Sequence, residues 1–248
     1  MKQRYHWEVL YQEIDSDRCM RLFTLENHIL TVAGKAADEG GFGIQYLYPL
    51  GLTWIITNCS IEMQKIPIAG DKLIFETWIE SNAHMLSIRN FRIYKKQETK
   101  NETQEDTLIG RAKTTWAVFD LYKREIVNVF DHSVFQNIVD GEVLNMPKAS
   151  RMIPTIPATQ LPYSSIPITY SMIDYNNHLN SCKYPEIMLD VYKPEWLNKP
   201  FRFDIRYIKE MKQGQTITTL YQNVDNRISY QQKDDTGATV CTAQIYQL

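Results

Sequence analysis

Polar and apolar positions alternate along most of this chain, and that rhythm gives way twice to a helical one. YHWEVLYQ (5–12) reads as a strand. Over 24–38, TLENHILTVAGKAAD, the apolar positions Leu25, Ile29, Val32, Ala33 and Ala36 recur at helical spacing. That spacing predicts a helix with Thr24 as its N-cap and Gly40–Gly41 as its stop. Strand-like runs follow at 52–66, 72–82, 84–96 and 108–122, interrupted by a polar loop at 97–107. Residues 123–130 extend the sheet past a turn at Lys123–Arg124. GGFG (40–43) follows a helix instead of a strand, so it reads as a turn and not as a phosphate loop. One helix ahead of several long antiparallel strands predicts a sheet wrapped around that helix.

The pattern fades over 131–163, where Pro147, Pro154, Pro157 and Pro162 fall within sixteen residues. Such proline density marks a linker. The chain therefore divides into a domain at 1–135, a linker at 136–163 and a domain at 164–248. The second half repeats the order of the first: a strand at 164–171, a helix at 181–192, then strands at 201–211, 215–232 and 238–248. SIEMQKIPIAGDKLI (60–74) aligns without a gap on DIRYIKEMKQGQTIT (204–218), at an offset of 144, pairing Ile61 with Ile205, Lys65 with Lys209 and Gly70 with Gly214. Ile66 of the first half falls on Glu210 of the second.

Composition narrows the class. The 248 residues are 44% hydrophobic and 23% charged, the balance of a globular protein, and fifteen Tyr and five Trp suit a β-rich interior. A formal charge of −2 argues against nucleic acid as a partner. No stretch reaches the roughly eighteen uninterrupted apolar residues of a membrane span. The N-terminal text lacks the apolar core of a signal peptide, so a cytoplasmic location is expected. Cys19, Cys59, Cys182 and Cys241 are far apart, which supports neither a metal site nor a disulfide framework, and the five His show no ligand spacing. No metal and no cofactor is expected.

One stretch concentrates polar chemistry. In IPITYSMIDYNNHLNSCKYPEIMLD (166–190), Asp174, Asn176, His178 and Asn180 occupy every second position between a strand and a helix. A carboxylate, two amides and an imidazole there would sit beside a helix N-terminus, whose free N–H groups favour a developing oxyanion. The same residue types also serve plain turns and caps, with Asn180 or Ser181 as the N-cap of the following helix. The first half shows no counterpart to the Asp174–His178 turn near its helix. Cys182 lies close enough to be considered as a nucleophile, and as a small buried hydrophobe.

These residues resemble the acyl-acyl-carrier-protein thioesterases of plants and bacteria, over nearly the whole chain. The resemblance rests on GFG (41–43), LTWIITNCSIEMQKIPIAGD (52–71), FETWIES (75–81) and TTWAVFDLYKR (114–124) in the first half. In the second it rests on DYNNHLNSCKY (174–184) and IRYIKEMKQGQ (205–215). It implies an α+β tandem hot-dog fold, in which two antiparallel sheets each wrap a central helix. It makes Asp174, Asn176, His178 and Glu210 catalytic candidates. The substrate it implies is a fatty acyl chain on the 4'-phosphopantetheine of an acyl carrier protein, hydrolysed to free acid in fatty acid biosynthesis.

Some family members carry a Cys after that Glu; here Met211 stands in its place, and a thioether cannot supply a thiolate. Attack by water with carboxylate assistance follows, with Asp174 favoured over Glu210 as the base and the helix 181–192 completing the oxyanion hole. The first half would supply an apolar cavity, for which Leu25, Ile29, Trp54, Trp78 and Trp116 are candidate lining residues as well as ordinary core. Residues 183–212 hold seven Lys/Arg against five Asp/Glu, an excess that suits an acidic carrier and equally a solvated face. The tandem already supplies the contact between two units, and a further homodimer is compatible with the sequence. Competing readings are a hot-dog hydratase or dehydratase of acyl thioesters, and a non-catalytic acyl-binding module.

Overall fold

The computed structural model describes residues 2–97, 106–130, 133–147, 156 and 163–248. The strands are β1 (Gln3–Glu8), β2 (Leu52–Met63), β3 (Lys72–Ala83), β4 (Leu86–Lys95), β5 (Thr107–Asp120) and β6 (Glu125–Val127). The second half adds β7 (Tyr163–Pro167), β8 (Phe201–Tyr207), β9 (Thr216–Val224), β10 (Arg227–Lys233) and β11 (Thr239–Gln247). Helices are α1 (Leu22–Glu39), the single turns α2 (Ile44–Leu47) and α3 (Ser133–Gln136), and α4 (Lys183–Val191). Strand order is β1-β3-β4-β5-β2-β8-β11-β10-β9-β7, with β6 hung on β5. The second five strands are the first five in mirrored order, so the two expected sheets meet edge to edge. Their seam is the antiparallel β2–β8 ladder, in which Cys59 opposes Ile205 and Ile61 opposes Phe203.

The offset of 144 holds in the backbone. Gly70 and Gly214 both take left-handed φ, +84° and +86°, where a side chain is costly. The Gly70 N–H donates to the Val9 carbonyl at 2.8 Å and that of Gly214 to Ile168 at 3.0 Å. Likewise the Met20 N–H donates to Pro67 at 2.8 Å and that of Leu179 to Met211 at 2.7 Å. Low identity has left the turn geometry intact, because the hydrogen bonds belong to the backbone.

Element boundaries differ from the pattern for local reasons. α1 starts at Leu22, and extended Arg21 takes the cap position expected of Thr24. The run 215–232 is two strands, because Asp225 and Asn226 both enter the left-handed region (φ +50° and +59°) and reverse the chain. His84 and Met85 do the same between β3 and β4. The loop expected at 97–107 falls mainly on 98–105, and most of the linker 136–163 on 148–155 and 157–162, outside the described residues. Within the described part, Val139 bridges Ile79, and the Glu142 carbonyl accepts the Trp78 indole N–H at 2.7 Å, so residues 139–146 cover the outer face of β3.

α1 buries Leu22, Leu25, Ile29, Val32 and Ala36. Its core face shares one hydrophobic cluster with Phe75, Phe91, Phe203 and Met188, drawn from both halves. Each fully buried Leu or Ile contributes about 1.5–3 kcal/mol. No helix among the described residues is long and apolar enough to cross a membrane.

Candidate active site

The polar turn is built by its own first residue. Ile173 and Leu179 form an isolated antiparallel bridge that closes the loop, and the Asp174 N–H donates to the His178 carbonyl at 2.8 Å. Asp174 Oδ1 accepts the backbone N–H groups of Asn176 at 2.9 Å and His178 at 3.1 Å. Asn177 sits at the apex with φ +61°, a conformation Asn tolerates better than most residues. Asn180 Oδ1 then accepts the Cys182 N–H at 2.9 Å, and α4 begins one residue later, at Lys183. Neither Asn180 nor Ser181 is the N-cap; Cys182 holds that position.

Leu179 anchors this turn to the strand that follows. Its N–H bond to Met211 brings the loop against the segment after β8, where the strand-end Glu210 lies. His178 Nε2 and Glu210 Oε2 come within 3.1 Å, and the other carboxylate oxygen of Glu210 pairs with the Arg124 guanidinium from the first half. Lys209, beside Glu210 in sequence, pairs with Asp234 instead, at 2.7 Å. Met211 is fully buried.

A cavity of about 1080 Å³ opens beside this cluster, and Asp174, Asn176, His178 and Glu210 all line it. Trp54 and Trp116 line it too. Leu25, Ile29 and Trp78 do not. Leu25 and Ile29 lie on the core face of α1, whereas the cavity face carries Asn27, Leu30, Thr31, Gly34 and Asp38, on the opposite side of the helix. Trp78 alternates with the cavity-lining Ile79 and so faces the outer layer. Leu30 apart, these residues are small or polar, so the cavity face carries little apolar signal in the sequence. Arg124 was missed because nothing local in a hairpin turn signals a contact eighty-six residues away.

The backbone N–H groups of the first turn of α4, expected to form an oxyanion hole, are engaged within the turn from Cys182 to Tyr184. The Cys182 N–H is held by Asn180 Oδ1, that of Lys183 by the Asn180 carbonyl at 2.9 Å and that of Tyr184 by Ser181 at 3.3 Å, and Pro185 has none. Side-chain donors remain at the cavity wall, Asn176 and His178 among them. Cys182 is buried, and burial pushes its thiol well above the ordinary range, which suppresses the nucleophilic thiolate. At least four of the seven cations at 183–212 are already paired: Lys183 with Glu186, Lys193 with Asp15 and Asp17, Arg202 with Glu62 and Asp204, and Lys209 with Asp234. Among the described residues no group of His, Cys, Asp and Glu side chains could hold a metal ion. An imidazole backed by a carboxylate, beside the Asn176 amide and a largely apolar cavity, is equipped to activate water against a carbonyl at the end of an aliphatic chain.

The acyl-ACP thioesterase N-terminal domain family matches residues 1–136, and the acyl-ACP thioesterase C-terminal domain family matches residues 157–246. The chain is 21% identical over 208 residues to a chloroplastic palmitoyl-acyl carrier protein thioesterase of Cuphea hookeriana, covering 78% of this chain and 48% of that protein. It thus spans about half the length of the curated plant relatives it matches. Among solved structures, an acyl-ACP thioesterase from Bacteroides thetaiotaomicron superposes with a TM-score of 0.84 at 26% identity, covering 99% of this chain and 97% of that one. A 12:0-ACP thioesterase from Umbellularia californica gives the same TM-score at 16% identity over 99% and 96% of the two chains, and shows the shared fold.

Proposed function

Because this chain belongs to the acyl-ACP thioesterase family, we propose that it hydrolyses fatty acyl thioesters of an acyl carrier protein to free fatty acid and carrier thiol. The observation that carries this reading is the 3.1 Å approach of His178 Nε2 to Glu210 Oε2 at the wall of the cavity. The acyl chain lies along the α1 face that bears Asn27 and Gly34, and the phosphopantetheine arm brings the thioester to His178.

Glu210 orients the imidazole through Nε2, which leaves Nδ1 to take a proton from water. The water oxygen bonds to the thioester carbon, and the carbonyl becomes an oxyanion that the Asn176 amide stabilises. When the carbon–sulfur bond breaks, the thiolate takes the proton back from His178, and acid and thiol leave. Asp174, expected as the base, acts here as the anchor of the turn, since its Oδ1 already holds two backbone N–H groups.

The test is thiol release from acyl-carrier-protein thioesters by the wild type and by His178→Ala, Glu210→Gln and Asp174→Asn. Losses above about a hundredfold at His178 and Glu210, with Asp174→Asn within roughly tenfold, support the assignment. A collapse confined to Asp174→Asn returns the base to Asp174. A folded wild type that releases no thiol, or that hydrates an enoyl thioester instead, sinks the hydrolase reading.

A further inference from the structure

Glu210 has two carboxylate oxygens, and the mechanism above uses one of them. The other is held by Arg124, which belongs to the opposite half of the molecule. The hairpin that presents Arg124 is tightly fixed. Asp120 Oδ1 accepts the N–H groups of Tyr122 at 2.9 Å and Lys123 at 2.8 Å, and the Asp120 carbonyl accepts that of Arg124 at 2.9 Å. The Leu121 N–H donates to Gly51, tying the turn to the start of β2. Arg124 itself takes φ +61°, a left-handed conformation that costs a non-glycine residue about 1–2 kcal/mol. Its guanidinium lies over the Phe119 ring at 5.1 Å from the centroid, so its stem and head are both guided toward the cavity mouth.

This arrangement differs from an ordinary surface ion pair in three respects. The partner is the carboxylate that faces His178. Lys209, the cation next to Glu210 in sequence, is committed to Asp234. The contact also crosses between the halves, joining the hairpin of the first to the polar turn of the second. We propose that Arg124 is a positioning residue for the reaction, fixing one Glu210 oxygen so that the other meets the His178 imidazole. The first half then completes the reacting cluster besides housing the acyl chain. This rests on the thioesterase reading for its kinetic consequence, though not for its geometric one.

The experiment combines kinetics with a signal that needs no turnover. Arg124→Met and Arg124→Lys are made in the wild type, and Arg124→Met again in Glu210→Gln. Thiol release is measured with saturating and limiting acyl-carrier-protein thioester, and the His178 ring nitrogens are observed by NMR at fixed pH in ¹⁵N-histidine protein. Arg124→Met is expected to lower kcat roughly ten- to a hundredfold with KM little changed, Arg124→Lys to recover part of the loss, and the loss to vanish in Glu210→Gln. The His178 ring signals are expected to move in Arg124→Met in the same sense as in Glu210→Gln. An Arg124→Met enzyme within about twofold of wild type, an equal loss in both backgrounds, or unmoved ring signals would each overturn the proposal. If the wild type releases no thiol, the thioesterase reading fails separately and the ring signals alone decide the role of Arg124.

Discussion

Asp15 and Asp174 hold the same turn in the two halves of the molecule. Asp15 Oδ1 accepts the N–H groups of Asp17 and Cys19 at 2.9 and 3.2 Å, as Asp174 Oδ1 accepts those of Asn176 and His178. Arg18 and Asn177 both stand at the apex, with φ +62° and +61°, and Ile14–Met20 and Ile173–Leu179 close the two loops. The expectation that the first half lacks this turn is therefore corrected: it has the turn without the imidazole, Cys19 standing where His178 does. Lys193 Nζ lies 2.6 Å from both Asp15 and Asp17, a cation from the second half neutralising the first half's copy.

The pair separates anchoring from chemistry. Asp15→Ala and Asp174→Ala should each destabilise by about 1–2 kcal/mol, because each strands two turn N–H groups. Only Asp174→Ala should reduce thiol release per folded molecule. Urea denaturation alongside steady-state rates checks this; a matching rate loss in Asp15→Ala would contradict it.

Gly34 faces the cavity from the middle of α1, with nothing within 4 Å of where a Cβ would stand. Gly34→Ala should raise stability by about 1 kcal/mol through helix propensity alone. Gly34→Leu should fill cavity space and shift kcat/KM toward shorter acyl chains. Rates across a chain-length series test this, and an unchanged profile in Gly34→Leu would show that the acyl chain does not pass this face.

Glu26 is fully buried on α1, with Oε1 accepting the Tyr207 hydroxyl at 2.7 Å and Oε2 without a partner among the described residues. Burial pushes its carboxyl up to about 7, against the opposing hydrogen bond from the Tyr207 hydroxyl. The folded state therefore keeps a proton that the unfolded chain releases near 4.5. Stability contributed by the protonated form is fully present below that lower value and is lost as pH rises to 7, with a penalty of roughly 3 kcal/mol above it. Glu26→Gln should gain on the wild type as pH climbs from 5 to 8.5. Denaturation midpoints that stay parallel across that range would refute this.

Arg202 sits at the β2–β8 seam, 1% exposed, donating to Glu62 Oε1 at 2.7 Å, Asp204 Oδ2 at 2.9 Å and the Pro147 carbonyl at 2.7 Å. Glu62 keeps a second partner in Arg111, whereas Asp204 would retain only the Ser60 hydroxyl. Arg202→Met should cost about 3–5 kcal/mol, since it leaves Asp204 buried and uncompensated. Adding Asp204→Leu should restore part of the loss. Chemical denaturation of the single and double variants reads both steps.

Much of this protein was written in short-range pattern. Period-two alternation located the strands, the spacing of Leu25, Ile29, Val32 and Ala36 located α1, and the offset of 144 located the repeat, because each depends on neighbours within one element. The residues of the polar turn were legible for the same reason: Asp174, Asn176 and His178 fall within five residues of one loop. Three things were decided only by tertiary structure. The face of α1 that lines the cavity looks like a solvated stripe in sequence, since a cavity wall meets solvent or ligand instead of core. The α4 donors are spent within their own turn, which no residue count reveals. The partner of Glu210 comes from a hairpin in the other half, and a side-chain pairing across that distance exists only once the β2–β8 seam has brought the halves together.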